Sequence, residues 1–174
     1  MIMNIKTKTS NALRGFTLIE TLIAISVLLL SLAGPLSIAS QSLQSAYYAR
    51  DQITAFYLAQ EAVEYVRAVR YENYLAGSDW LQGISDCVGA QCTVDFPNFA
   101  HQVCSGPCSP VLIGASSGLY NQAAGDPSIY TRAFTIETVP DTADEVVVSV
   151  TVSWRTGVLA RSFEIREHLF NWLQ

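Results

Sequence analysis

Residues 16–39 form a run of 24 positions in which a single residue, Glu20, is charged. A bilayer needs about 20 apolar residues to be crossed by a helix, so the run is long enough to span one. A carboxylate deep in such a run and without a partner costs roughly 2.5–3.5 kcal/mol. Glu20 therefore calls for a cation to meet it. Lys6, Lys8 and Arg14 stand before the run, and the next charge after Glu20 is Arg50. By the positive-inside tendency, residues 1–15 stay in the cytoplasm and the C-terminal body crosses to the other side.

Three readings of this N-terminus compete. A secretory signal has an apolar core of about 7–15 residues and a small-residue exit, which Ser37-Ile38-Ala39 could supply. The run is too long for that core, and a glutamate interrupts it. A plain single-span anchor accounts for the length but gives no reason for Gly15-Phe16 at the boundary or for Glu20. The block Arg14-Gly15-Phe16-Thr17-Leu18-Ile19-Glu20 resembles the type IV prepilin signature. That resemblance implies a peptidase that cuts between Gly15 and Phe16 and methylates Phe16. It also implies that Glu20 meets the terminal amine of a neighbouring subunit during assembly.

The helical pattern continues beyond the run. Gly34-Pro35 interrupts it, because proline lacks the amide donor and clashes with the preceding turn, and a kink or locally melted turn is expected there. From residue 40 to about residue 71 the helix becomes amphipathic, with Ile53, Phe56, Val63, Val66 and Val69 expected to face a sheet. Glu64 and Arg67 are placed to pair on the opposite side. Residues 17–71 make a helix roughly 80 Å long at 1.5 Å per residue. A small domain cannot cover it, so the first half belongs in membrane or in a bundle of other subunits.

Residues 73–128 lose periodicity and are rich in glycine and proline, which marks turns and irregular strands. All four cysteines lie here: Cys87, Cys92, Cys104 and Cys108. An even count on the oxidising side of a membrane reads as two disulfides. Of the three connectivities, the local pairs Cys87–Cys92 and Cys104–Cys108 rank first, and the nested arrangement ranks second. A tetrathiolate zinc site is disfavoured, because the spacings are looser than C-x₂-C arms.

Residues 129–174 read as an antiparallel β meander. Val146, Val148, Val150, Val152 and Trp154 alternate with Ser149, Thr151 and Ser153, the period of a half-buried strand. Tyr130, Phe134 and Ile136 share a parity upstream, and Leu159, Phe163, Ile165 and Leu169 do so downstream. Thr156-Gly157 is the expected hairpin turn, and residues 140–145 are an acidic loop. The tail Leu169-Phe170-Asn171-Trp172 is expected to pack along the sheet edge.

The layout as a whole resembles a type IV pilin: leader 1–15, transmembrane or filament-core half-helix 16–39, amphipathic half-helix 40–72, disulfide-bearing loops and sheet. The implied fold is α+β, a long N-terminal helix packed on a C-terminal antiparallel sheet. Ala59-Gln60-Glu61-Ala62-Val63-Glu64 with Arg67, and the Val-x-Val-x-Trp strand, resemble PilV-type minor pilins and I-type minor pseudopilins. The resemblance implies a structural subunit, a minor one, of a pilus-like filament. Its implied partners are prepilin peptidase/N-methyltransferase, other pilins, an inner-membrane assembly platform and, before assembly, membrane lipid. The protein would begin as a single-pass inner-membrane protein and end at the cell surface. A type II secretion pseudopilin and an anchored adhesin or binding module are the alternatives.

Other chemistry finds little support. Removing residues 1–15 leaves seven arginines against fifteen acids, a net charge of −8 that disfavours nucleic-acid binding. His101 and His168 sit in no nucleophile or metal motif, and His101 reads as a surface loop residue. Asp141, Asp144 and Glu145 lack the calcium-loop spacing and read as a solvated turn. No enzyme, cofactor or metal is expected.

Overall fold

The computed structural model describes residues 15–171. Residues 1–14 of the leader 1–15, and residues 172–174 with Trp172 of the expected tail, lie outside the described residues. The chain divides into two compact units, Met1–Tyr47 and Tyr48–Gln174. Helix α1 (Leu18–Ala76) supplies the described structure of the first unit and the opening helix of the second.

In the first unit α1 presents Leu18, Leu22, Ile25, Leu29 and Leu36 outward, all exposed. It stays helical through Gly34 and Pro35, so no turn melts at the expected interruption. Helix-spanning segments accommodate proline in this way when the freed carbonyl can be met locally or by neighbours.

In the second unit α1 runs five residues past the expected end. Gly77 sets the stop: its φ of 64° is the left-handed geometry that follows many helices. The Gly77 amide donates to Tyr74 O and the Ser78 amide to Asn73 O, at 3.1 and 2.9 Å, closing a Schellman motif. The Asn73 side-chain amide then donates to the Trp80 and Gln82 carbonyls and seals the following loop.

The sheet has seven strands, all paired antiparallel. They are β1 (Cys92–Asp95), β2 (Ala100–Val103), β3 (Pro110–Ile113), β4 (Tyr120–Asn121), β5 (Asp126–Thr138), β6 (Glu145–Thr156) and β7 (Leu159–Phe170). β5, β6 and β7 form the expected meander, with Phe134 opposite Val150 and Val150 opposite Ile165. The other edge of β5 is divided. β1 joins it at Cys92↔Phe134 and β3 at Leu112↔Pro127. The glycine-rich segment thus contributes four short strands to the sheet, and β5 starts at Asp126, earlier than the periodicity alone marks. The disulfides are Cys87–Cys92, which holds a 3₁₀ turn (Ser85–Cys87) against β1, and Cys104–Cys108, in the β2–β3 connection.

The inward sheet face carries Tyr130, Phe134 and Ile136 of β5, Val146 to Trp154 of β6 at alternate positions, and Leu169 of β7, all buried. Fully burying each such side chain is worth about 1.5–3 kcal/mol. The helix meets this face with Ala55, Leu58, Ala59, Ala62, Val63, Tyr65, Val66 and Val69. The expected stripe is therefore off-centre. Ile53 and Phe56 are exposed, and Phe56 reaches only the margin, edge-on to Phe163. Three alanines, small enough to bring the helix axis close to the sheet, take the central positions. Arg67 likewise does not point away from the sheet: Nε donates to Glu167 Oε1 of β7 at 2.7 Å, while Nη1 holds Glu64 at 2.6 Å. Side-chain hydrogen bonding to Glu167 leads the causes that raise the Arg67 pKa.

Candidate functional site

The N-terminus of α1 carries the residues singled out by sequence. Gly15 and Phe16 precede the helix in non-helical backbone and are exposed. Among the described residues, a side chain added at Gly15 would meet nothing within 4 Å. Gly34 is the same: a Cβ there also meets nothing within 4 Å.

Thr17 caps the helix. Its carbonyl accepts from the Glu20 and Thr21 amides at 3.1 and 3.2 Å, and its Oγ1 also accepts from the Glu20 amide, at 3.3 Å. Thr17-x-x-Glu20 is thus half of a capping box, a start signal that the sequence itself carries. A carboxylate in the first turn also complements the positive end of the helix dipole.

Three of the hydroxyls that follow are satisfied inside the helix. Thr21 Oγ1 donates to Leu18 O at 2.8 Å, Ser26 Oγ to Leu22 O at 2.8 Å and Ser31 Oγ to Leu28 O at 2.7 Å. Such back-bonding lets a helix enter hydrocarbon without orphaned polar groups. Among the described residues, the Glu20 carboxylate has no partner in the chain. It is the one ionisable group of the apolar run, and its demand for a cation is unmet.

Residues 11–34 match the family model described as the prokaryotic N-terminal methylation motif. The chain carries a prepilin-type N-terminus. With the long apolar helix and the antiparallel sheet, the architecture is type IV pilin-like. The motif indicates a pilin-like precursor that prepilin peptidase processes and that is anchored in a membrane before it joins other pilins. The family that this motif marks is one of structural subunits. No curated protein and no solved structure matches the chain.

The body holds two polar clusters that sequence reading missed. Arg132 lies on the inward face of β5 with no exposed surface. Its Nη1 donates to Leu58 O at 2.9 Å and to Glu61 Oε2 at 2.8 Å, and its Nη2 donates to Val94 O at 2.7 Å. Desolvation by burial lowers its pKa, while the Glu61 hydrogen bond pulls the other way. The guanidinium ties helix, β1 and β5 together.

His101 is the second. It is not in a loop but in β2, with its side chain 14% exposed. Its ring bridges the Tyr65 hydroxyl and the Asp86 carboxylate, both at 2.9 Å. Asp86, Cys87 and His101 lie close enough to suggest a metal set. The Cys87 sulfur is tied to Cys92, which removes the thiolate such a set would need. His168 is exposed and faces Glu145 at 2.6 Å. Asp141 sits at a left-handed φ of 65° in the acidic turn, as an Asp in a tight turn can.

Proposed function

We propose that the protein is a minor structural subunit of a type IV pilus-like filament. Cleavage falls between Gly15 and Phe16, and the new Phe16 amine is methylated. Residues 16–39 hold the precursor in the inner membrane and later line the filament core. Glu20 of one subunit neutralises the Phe16 amine of another as the assembly platform draws it from the bilayer to the cell surface. The observation that carries this reading is the Glu20 carboxylate, without a partner among the described residues, in a helix whose Thr21, Ser26 and Ser31 hydroxyls are satisfied, and placed five residues after Gly15. Leu18, Ile19 and Leu22, all exposed, supply lateral cohesion between subunits.

Mass spectrometry of the native N-terminal peptide tests the first half. An N-methylated Phe16 is expected, and a terminus at Met1 or Ser40 defeats the proposal. The second half is tested with Glu20→Ala, which should be cut normally yet be missing from sheared filaments. Normal filament content of that variant removes Glu20 from assembly. Recovery with secretion-system pseudopilins instead of pilus subunits would move the protein to the pseudopilus.

A further inference from the structure

One end of the second unit is made of strand ends and turns. β5 begins there and β6 passes into β7 there, with Tyr130 opposite Trp154 and Thr156 opposite Leu159. β3 arrives at the same end, because Ile113 lies opposite Asp126. The helix reaches it through Asp51, whose Oδ2 accepts from Thr156 Oγ1 at 3.3 Å. Tyr48 is there too, its ring centroid 4.1 Å from the Arg161 guanidinium carbon.

This end is apolar where water would favour polar residues. Val158 is 96% exposed at the tip of the β6–β7 turn, and Leu159, Leu119 and Ile129 are also exposed. Gly157 takes φ 62° and so gives the tight two-residue turn that thrusts Val158 outward. Turn tips are normally Gly, Asn, Asp or Ser. Arg155 and Arg161 flank the tip, and among the described residues neither has an ion-pair partner. Acids here are Asp51, which is buried, and Asp126. Glu137, Asp141, Asp144 and Glu145 gather at the opposite end of β5 and β6. A body with an excess of acid therefore keeps one end cationic and apolar. In sequence, only residues 40–47 separate the apolar run from Tyr48. Whatever their conformation, eight residues span at most about 29 Å. The covalent chain therefore limits how far this end can lie from any bilayer the run occupies.

We propose that this end docks on the bilayer surface. The β6–β7 turn places Val158 and Leu159 among the headgroups of anionic phospholipid, while Arg155 and Arg161 engage the phosphates. Arginine forks suit phosphate, and an apolar tip flanked by cations is the chemistry of interfacial anchors. Docking would hold the body against the membrane before the subunit is withdrawn into an assembly. The inference rests on the membrane-spanning reading of residues 16–39.

The test uses the full chain in lipid nanodiscs carrying brominated acyl chains. Val158→Trp is compared with the unsubstituted protein, so that the native tryptophans subtract. Extra fluorescence quenching is expected in discs containing phosphatidylglycerol and little in pure phosphatidylcholine. Each arginine near an anionic surface shifts occupancy about fivefold. Adding Arg155→Gln and Arg161→Gln should therefore abolish most of the quenching while circular dichroism stays unchanged. No quenching in either lipid, or equal quenching in both, overturns the proposal. Co-elution of protein with discs reports the membrane-spanning reading separately, and failure to co-elute refutes both.

Discussion

Glu61→Ala and Arg132→Met remove the two ends of one ion pair, yet they are expected to differ several-fold in cost. Glu61→Ala leaves the guanidinium fully buried with two carbonyls, Leu58 O and Val94 O, and no counter-charge. Removing one partner of a buried pair costs about 3–5 kcal/mol. The Glu61 side chain is 37% exposed, so water screens part of this pair. About 2–3 kcal/mol is the expected loss. Arg132→Met deletes the buried charge itself. Methionine fills much of the volume, the released Glu61 rehydrates, and the Leu58 carbonyl keeps its helical partner. That loss should stay below about 1 kcal/mol. Thermal unfolding of the full chain in detergent, followed by near-ultraviolet circular dichroism, reads the difference. At about 3–5 °C per kcal/mol for a domain of this size, Glu61→Ala lowers the midpoint by roughly 10 °C. Arg132→Met should lower it by less than about 4 °C, and the double variant should recover most of what Glu61→Ala loses. Equal losses, or a larger loss for Arg132→Met, would show that the guanidinium acts through its carbonyl contacts and not as a charge needing Glu61.

Burial is the leading cause that raises the phenol pKa of Tyr65, Tyr120 and Tyr130 above 10.0. The unfolded chain gives up these protons first, so their contribution is complete below 10 and is lost as pH rises through the folded values. Urea midpoints should fall between about pH 9 and pH 11, and Tyr→Phe at these positions should flatten the fall. Phe134→Ala empties a nearly fully buried site between sheet and helix and should cost about 3–5 kcal/mol in urea denaturation. Replacing Cys87 and Cys92 together with serine should cost more than about 2 kcal/mol, because both sulfurs lie in the core. The same exchange at Cys104 and Cys108 should cost less, since Cys104 is partly exposed. Gly125→Ala drives a Cβ to 2.1 Å from Ile113 O at a φ of 142°, and hydrogen exchange should show β3 released from β5.

β6 was fully legible because strict alternation over nine residues leaves no other face to bury. The apolar run and Glu20 were legible because the bilayer sets both a length and a penalty. The helix–sheet contact was less so. Ala55, Ala59 and Ala62 carry little hydrophobic signal, while Ile53 and Phe56 carry much, yet close approach selects the alanines. Arg132 shares the parity of Tyr130 and Phe134, but an inward arginine is unreadable without knowing that Glu61 lies across from it. The strands β1 to β4 exist through pairing with β5 and with one another, a long-range cause that short glycine-rich segments do not announce. Gly77 as a helix stop and Thr17-x-x-Glu20 as a helix start are local signals that the sequence does carry.

The divided edge of β5 has a consequence for how such a chain can vary. One side of the strand is committed from Tyr130 to Thr138 to β6, and through β6 to β7 and the helix. The other side accepts guests at two short landing points, one near Phe134 and one near Pro127. Everything between Gly77 and Asp126 has to honour those points and supply a few core plugs: Ile84, Cys87, Cys92, Val94 and Val111. The rest of that stretch is free to lengthen, shorten or change its chemistry while the chassis beneath it stays the same. A strand with one fixed edge and one socketed edge lets a single scaffold carry many different faces.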